Sequence, residues 1–207
     1  MKKVYFDSAA TTQLRDDVIS CITEVLKTEY GNPSSTHSYG RSSKSLLENA
    51  RKEIAKLLNV SASEIIFTSG GTEADNLILC SAVRDLGVKR IISSRIEHHA
   101  VLHTLEWLKK EYDIVLDFVK IDECGQVDYD HLKNLLADTS QKTLVSLMHV
   151  NNEIGSLLDL KKVAVLCKEH HALFHSDTVQ SVGHYELDFK DIPIDFAAAA
   201  AHKFHGP

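Results

Sequence analysis

The chain has 207 residues, 43% hydrophobic and 25% charged, and its 23 basic against 29 acidic side chains leave a formal charge of −6. This length accommodates one large domain or two small ones of ordinary globular composition. A net acidic chain with no long basic run argues against nucleic acid or an anionic membrane as partner, and no apolar stretch reaches the length of a membrane span.

The start, MKKVYFDSAATTQ, has two lysines but lacks the apolar core of a signal peptide. The segment Gly31-Asn32-Pro33-Ser34-Ser35-Thr36-His37-Ser38-Tyr39-Gly40 is rich in turn formers and reads as a long functional loop. From Ser42 to Leu58, apolar residues at Leu46, Leu47, Ala50, Ile54, Leu57 and Leu58 form one helical stripe. A β run at Ile65–Thr68 follows, then the turn Ser69-Gly70-Gly71-Thr72 and a helix through about Arg84. Strand patterns at Ile91–Ser93, Ile114–Ile121, Thr143–His149, Ala172–Ser176 and Asp195–Ala199 then alternate with helical patterns at Ala100–Lys110, Tyr129–Ala137 and Leu160–His170. Helices between short apolar strands predict an α/β fold with a largely parallel sheet covered on both faces. With three prolines, no low-complexity linker and no repeat, no internal domain boundary is visible.

The cysteines (Cys21, Cys80, Cys124, Cys167) are scattered, form no CxxC pair, and three lie in helical stretches. They read as small buried hydrophobes of a reducing, hence cytoplasmic, protein.

Three stretches can carry chemistry. In the strand–SGGT–helix turn, two glycines allow close approach of the backbone, and the free amides and dipole of the next helix favour a phosphate, with the Thr72 hydroxyl as a further donor. The same residues also make a plain strand-to-helix turn, and they are neither a P-loop nor GxGxxG. In Phe174-His175-Ser176-Asp177-Thr178-Val179-Gln180, Asp177 ends a predicted strand, where ligands collect in open α/β sheets; it suits either a cationic partner or a helix N-cap. In Ala197-Ala198-Ala199-Ala200-Ala201-His202-Lys203, a lysine after a run of alanines is either a snorkelling strand-end charge or a nucleophile toward an aldehyde. His99 and His103 have the i,i+4 spacing of a zinc pair, but nothing completes a ligand set, so no metal is expected. His98 stands at a helix start after a strand, placed to lie flat on an aromatic ligand. Asn151 and Asn152 are either turn formers or hydrogen-bond donors.

In their order, seven blocks (YFDSAATT, GNPSSTHSYG, FTSGGTEADN, EHHAVL, MHVNNEIG, HSDTVQSVG and AHKFHGP) make the whole chain resemble the class V aminotransferase family of pyridoxal 5'-phosphate (PLP) enzymes. Within that family it is similar to the cysteine desulfurases of the NifS/IscS type; MHVNNEIG and GNPSS…H…G point there rather than to the SufS or kynureninase relatives. The resemblance implies a three-layer αβα fold with a mainly parallel sheet, like the large domain of PLP fold type I enzymes. It also implies the site residues. Gly71, Thr72 and His202 hold the phosphate, and His98 stacks on the ring with Val179 on the opposite face. Asn152 and Gln180 reach the ring hydroxyl, Asp177 pairs with the ring nitrogen, and Lys203 forms the Schiff base. Lys203 and His98 shuttle protons while L-cysteine becomes L-alanine and its sulfur passes to a protein cysteine as a persulfide. The implied partners are a sulfur acceptor, such as an iron–sulfur scaffold or a thiolation pathway, and a second copy in a homodimer. Selenocysteine lyase or aminotransferase chemistry belongs to the same family.

Two departures qualify the resemblance. Ala200 replaces the serine that the family usually places three residues before the lysine, removing a hydroxyl bond to phosphate worth roughly 1.5–3 kcal/mol. Family chains are also much longer than this one, which stops just after Lys203. The expectation is an incomplete large domain over 1–207 preceded by an N-terminal segment of about 1–40, with the C-terminal small domain and the persulfide cysteine missing. Such a chain would be inactive alone, would leave a sheet edge exposed, and would be a fragment, half of a split enzyme, or a non-catalytic PLP-binding or dimerising remnant.

Overall fold

Strands covered on both faces read as unbroken apolar runs rather than alternating ones, and the runs in this chain become a parallel sheet. The computed structural model describes residues 3–207, so the first two residues of the start read for a leader lie outside it. The described residues group into two compact units. One comprises the chain up to Phe67 with Leu187–Lys190 and Ala201–Pro207; the other comprises Thr68–Glu186 and Asp191–Ala200.

The second unit carries the sheet. Its strands are β1 (Arg90–Ser93), β2 (Val115–Phe118), β3 (Thr143–Ser146), β4 (Leu173–Asp177) and β5 (Phe196–Ala198), in the order β2-β1-β3-β4-β5. All neighbouring pairs are parallel, with Ile91 opposite both Leu116 and Leu144, and Ser176 opposite Ala197. From β1 the chain steps outward to β2 and then returns to β3 on the other side of β1. This reversal makes the crevice at the carboxyl ends of β1 and β3 a topological switch point, the usual ligand position in open α/β sheets.

The connecting helices are α3 (Gly71–Arg84), α4 (His99–Tyr112), α5 (Tyr129–Leu136) and α6 (Leu160–Glu169). α3 packs on α4, and α5 packs on α6. Leu79, Val88, Ile91, Val101, Leu105, Leu108 and Leu144 are fully buried together and form the core between sheet and helices. At the amino end of β1 the buried Arg90 pairs with Asp117 at 2.7 Å and donates to the Leu135 carbonyl at 2.8 Å. Its charge is thus satisfied at the end of the sheet away from the switch point.

The first unit holds α1 (Asp16–Thr28), α2 (Ser38–Leu58) and two single turns, Ala62–Glu64 and Ala201–Lys203. α2 begins four residues before the predicted start, inside the turn-rich segment, because His37 caps it by accepting from the Gly40 amide. It ends at Asn59, a left-handed residue with φ of 54° whose side-chain amide donates to Asp188 at 2.9 Å. α1 was given no bounds by the sequence, although Cys21 was read as lying in a helical stretch.

Three further expectations change. Ile65–Thr68 is extended but pairs with no strand; the Ile65 carbonyl instead accepts from the Arg51 guanidinium, which lies 4.8 Å from the centre of the Phe67 ring. The strand expected over 114–121 is shorter, giving way after Phe118 to a bridge between Ile121 and Val127. Of the cysteines only Cys167 is buried; Cys21 and Cys124 are exposed, and all four are free thiols. Among the described residues no helix is long and apolar enough to cross a membrane, and no His/Cys/Asp/Glu group is built to hold a metal ion.

Candidate functional site

Side chains cap the amino ends of most helices in the second unit. His98 Nδ1 accepts from the Ala100 amide at 3.1 Å for α4, Asp128 from His131 for α5, and Asp159 from Lys162 for α6. α3 differs. It starts on Gly70 with no side-chain cap, although Glu73 reaches back to the Ser69 amide at 2.5 Å. A Cβ on Gly70 would meet nothing within 4 Å, whereas one on Gly71 would lie 2.8 Å from Val179 Cγ2 and 3.6 Å from the Ala200 methyl. Glycine at 71 therefore lets the helix start lie tight against the loop after β4. Uncapped amides beside open space, with the exposed Thr72 next in line, can receive an anion.

The strand ends supply the rest of this unit's candidate residues. His98 follows β1 with its ring exposed, the ring centre 6.2 Å from that of His99. Asn152 follows β3, half-buried, its amide donating to Glu153 at 2.8 Å. Its neighbour Asn151 organises the loop: its Oδ1 accepts from the amides of Glu153 and Ile154, and its Nδ2 donates to the Ile96 carbonyl at 2.7 Å. The two asparagines thus divide the readings left open by sequence. Asn151 is the turn former and Asn152 is free of that duty. Asp177 ends β4, buried, and its Oδ1 accepts from the Val179 amide at 2.9 Å. Gln180 is half-buried in the same loop. Strands β1, β3 and β4 are neighbours, so the fold brings His98, Asn152 and Asp177 to one end of the sheet.

His202 and Lys203 belong to the first unit. There the opening and closing motifs of the chain meet. The Thr12 amide donates to the His202 carbonyl at 2.9 Å, its hydroxyl accepts from the His205 amide at 2.7 Å, and His202 Nδ1 lies 3.2 Å from the Thr11 hydroxyl. The Lys203 ammonium donates to the carbonyls of Ala9 and, at 3.0 Å, Ala10. Partial burial, then the Lys203 charge, hold the His202 imidazole below its ordinary range, which favours a neutral ring at neutral pH.

Beneath the sheet end lies a polar layer for which the sequence suggested no role. His175 is fully buried, with Nε2 3.3 Å from Asp75 on α3 and Nδ1 2.9 Å from the Ser146 hydroxyl. Glu97 is buried too. The Ser94 hydroxyl donates to its Oε1 at 2.5 Å, and burial pushes the carboxyl up to about 8 against the pull of that bond and of one from the Met148 backbone. Burial also lowers His149, whose Nδ1 is unpartnered and whose ring centre lies 5.8 Å from that of Tyr185. The signal was present in the motifs: Asp75, Glu97 and His175 sit inside FTSGGTEADN, EHHAVL and HSDTVQSVG. What a sequence hides is that such residues, far apart in the chain, are buried at the same end of one sheet.

The donor set fits a phosphorylated pyridine aldehyde. The uncapped start of α3 suits its phosphate, the buried Asp177 carboxylate suits a cationic ring nitrogen, and the exposed His98 ring offers a stacking face.

Comparison with known proteins gives the family. The family described as aminotransferase class-V matches residues 4–207. The chain is 40% identical over 208 residues to the cysteine desulfurase IscS of Dictyoglomus turgidum, an alignment covering 100% of this chain and 52% of that one. It is 41% identical to proteins of the same name from Clostridium botulinum (52% of the relative covered) and Methanosarcina thermophila (51% covered). Among solved structures, a NifS-like protein matches with a TM-score of 0.92 at 36% identity, covering 100% of this chain and 57% of that one. A structure described as SspA in complex with cysteine matches with a TM-score of 0.91 at 30% identity, covering 98% and 58%. The chain spans about half the length of the curated relatives it matches.

Proposed function

The chain belongs to the class-V aminotransferase family, and on that premise we propose that it supplies the cofactor-binding part of a cytoplasmic, PLP-dependent cysteine desulfurase. The whole enzyme takes sulfur from L-cysteine, leaves L-alanine, and passes the sulfur through an enzyme persulfide to an acceptor such as an iron–sulfur scaffold. Three polar residues after adjacent parallel strands, next to a helix that lacks a side-chain cap, are the observation that carries this reading. The similarity to IscS proteins selects the desulfurase within the family.

When bound, PLP supplies an electron sink that weakens the bonds at the Cα of an amino acid. The chain's own groups do the rest. The amides of Gly71 and Thr72, with His202, hold the phosphate. Asp177 keeps a proton on the ring nitrogen by stabilising the cation that results, Asn152 and Gln180 orient the ring through its hydroxyl, and His98 covers one face. Lys203 would hold the aldehyde through its amine and would serve as the base for the proton at Cα, and His98 would serve as the acid at the substrate. The acceptor cysteine belongs to the remainder of the enzyme, together with the homodimer partner.

The test has two stages. Purified protein incubated with PLP develops the near-ultraviolet to visible absorbance of the covalently held cofactor, and Lys203→Ala abolishes it. The complete enzyme, or this chain mixed with a matching C-terminal chain, then yields alanine from L-cysteine and, with a dithiol present to reduce the persulfide, an equal amount of sulfide. Bound PLP with selenocysteine or a keto acid as the preferred substrate moves the assignment to a lyase or aminotransferase of the same family. Bound PLP with no turnover of any amino acid leaves a non-catalytic binding module.

A further inference from the structure

The opening block Ser8-Ala9-Ala10-Thr11-Thr12 has no part in the function proposed above. It bonds to the turn Ala201–Lys203, and both belong to the first unit. A single turn of three residues has too few bonds of its own to fix its geometry. The Phe204 and Gly206 amides donate to the Ala201 carbonyl at 3.0 and 2.9 Å, and further bonds come from residues 9–15. We propose that Thr12 is a positioning residue for Lys203: its amide and hydroxyl tie down the chain on both sides of the lysine.

The geometry of Thr12 suits this role. Its amide and its hydroxyl both donate to the His202 carbonyl, each at 2.9 Å. The hydroxyl oxygen also accepts from the His205 amide at 2.7 Å. A hydroxyl can give and receive at once, whereas a valine of similar shape keeps only the backbone bond. Nearby residues reinforce the far side of the turn. The Arg15 amide donates to the His205 carbonyl at 3.4 Å, and His205 Nδ1 lies 2.8 Å from the Gln13 carbonyl. His205 is left-handed, with φ of 68°, a region uncommon for a residue with a Cβ, and these bonds hold it there.

The same segment receives the far end of the lysine. A lysine side chain is long and has much rotamer freedom to lose. The ammonium of Lys203 donates to the Ala9 and Ala10 carbonyls. Those carbonyls lie on a closed turn, in which the Ala10 and Thr11 amides donate to the Asp7 carbonyl at 3.1 and 3.4 Å. Thr12 thus fixes the backbone that carries Lys203, and two residues upstream the free amine has its resting place.

The experiment compares the wild-type chain with Thr12→Val, which loses the hydroxyl, and Thr12→Ser, which keeps it. The first readout is amide exchange in cofactor-free protein. Protection of the His205 amide falls about tenfold in Thr12→Val, the scale of one lost hydrogen bond, and is retained in Thr12→Ser. Core amides of α4 keep their protection in both. The second readout is the rate at which Schiff-base absorbance appears after mixing with PLP. In Thr12→Val the rate at saturating PLP falls about tenfold, as for a reacting group displaced by a fraction of an ångström. The half-saturating concentration stays within about twofold, and Thr12→Ser restores the rate.

Thr12 is half-buried, and Thr12→Ala replaces Thr12→Val if the latter does not fold. Unchanged His205 protection in the variant that lacks the hydroxyl overturns the proposal. So does an unchanged rate with weaker half-saturation, which assigns Thr12 to PLP binding through His202. An equal loss in Thr12→Ser also overturns it, as a packing effect. The link to PLP rests on the function proposed above. A wild-type chain that forms no Schiff base counts against that function, and the exchange readout then decides the role of Thr12 alone.

Discussion

The two units of the chain bury their apolar residues very differently. In the second, Leu79, Leu105, Leu108 and Leu144 are wholly inaccessible, and β1 and β3 are buried from end to end. In the first, α1 has no buried residue and α2 buries only Gly40 and Ala55, while Leu26 and Leu57 stand 77% and 80% exposed. Both units show clear helical periodicity. The difference teaches that periodicity reveals a helix and its apolar face, whereas what covers that face is a separate question answered by tertiary structure.

Truncation of a leucine in each unit is the sharpest way to break this comparison. Leu105→Ala removes a fully buried side chain and should cost about 2–5 kcal/mol in urea unfolding. Leu26→Ala on α1 should change stability by less than about 0.5 kcal/mol. Comparable losses would mean that the apolar face of α1 is covered in solution, as a homodimer would cover it. Sedimentation at two protein concentrations would then tell self-association from another cause.

A smaller effect sharpens the comparison at the polar end of the second unit. Asp177→Ala removes the acceptor for the Val179 amide and the buried negative charge that the proposed function aims at a ring nitrogen. Loss of a charge-assisted bond of roughly 1.5–3 kcal/mol should raise the dissociation constant for PLP by about ten- to a hundredfold, measured by absorbance titration. Asp177→Asn keeps the bond to Val179 but not the charge, so weakening in both variants assigns the effect to the charge. Weakening in Asp177→Ala alone assigns it to the loop.

Much of this was legible in the sequence because the signals were local. Strand runs such as Ile91–Ser93 and helical stripes such as Leu160–His170 depend on neighbours in the chain, and the sheet is parallel as their alternation requires. The bounds of α1 escaped because its segment, DDVISCITEVLKT, is rich in β-branched residues that weaken the helix signal. The run Ile65–Thr68 misled for the opposite reason: its composition suits a strand, but a strand also needs a partner, and here Arg51 takes the Ile65 carbonyl. At the site, motif order pointed to His98, Asn152 and Asp177, which the fold gathers at adjacent strand ends. The Asp75–His175–Ser146 contacts and the burial that raises Glu97 were not legible, since they depend on residues remote in sequence.

The last prediction bears on Ala200, where the family resemblance leads one to expect a serine. Ala200 is 5% exposed, and its methyl lies 3.6 Å from where a Cβ on Gly71 would stand, at the uncapped start of α3. Ala200→Ser adds a hydroxyl in that place. Without an anion the hydroxyl is a buried donor short of a partner, and stability should fall by up to about 1 kcal/mol. With phosphate at the start of α3 it gains an acceptor, so PLP should bind about ten- to a hundredfold more tightly, the roughly 1.5–3 kcal/mol of a charge-assisted bond. The two effects have opposite signs, and this separates them from a general change in packing. Inorganic phosphate should show the same gain as PLP, because the hydroxyl meets only the phosphate. A gain for PLP but not for phosphate would place the added contact elsewhere on the cofactor, and no gain for either would mean that the anion does not sit at the α3 terminus.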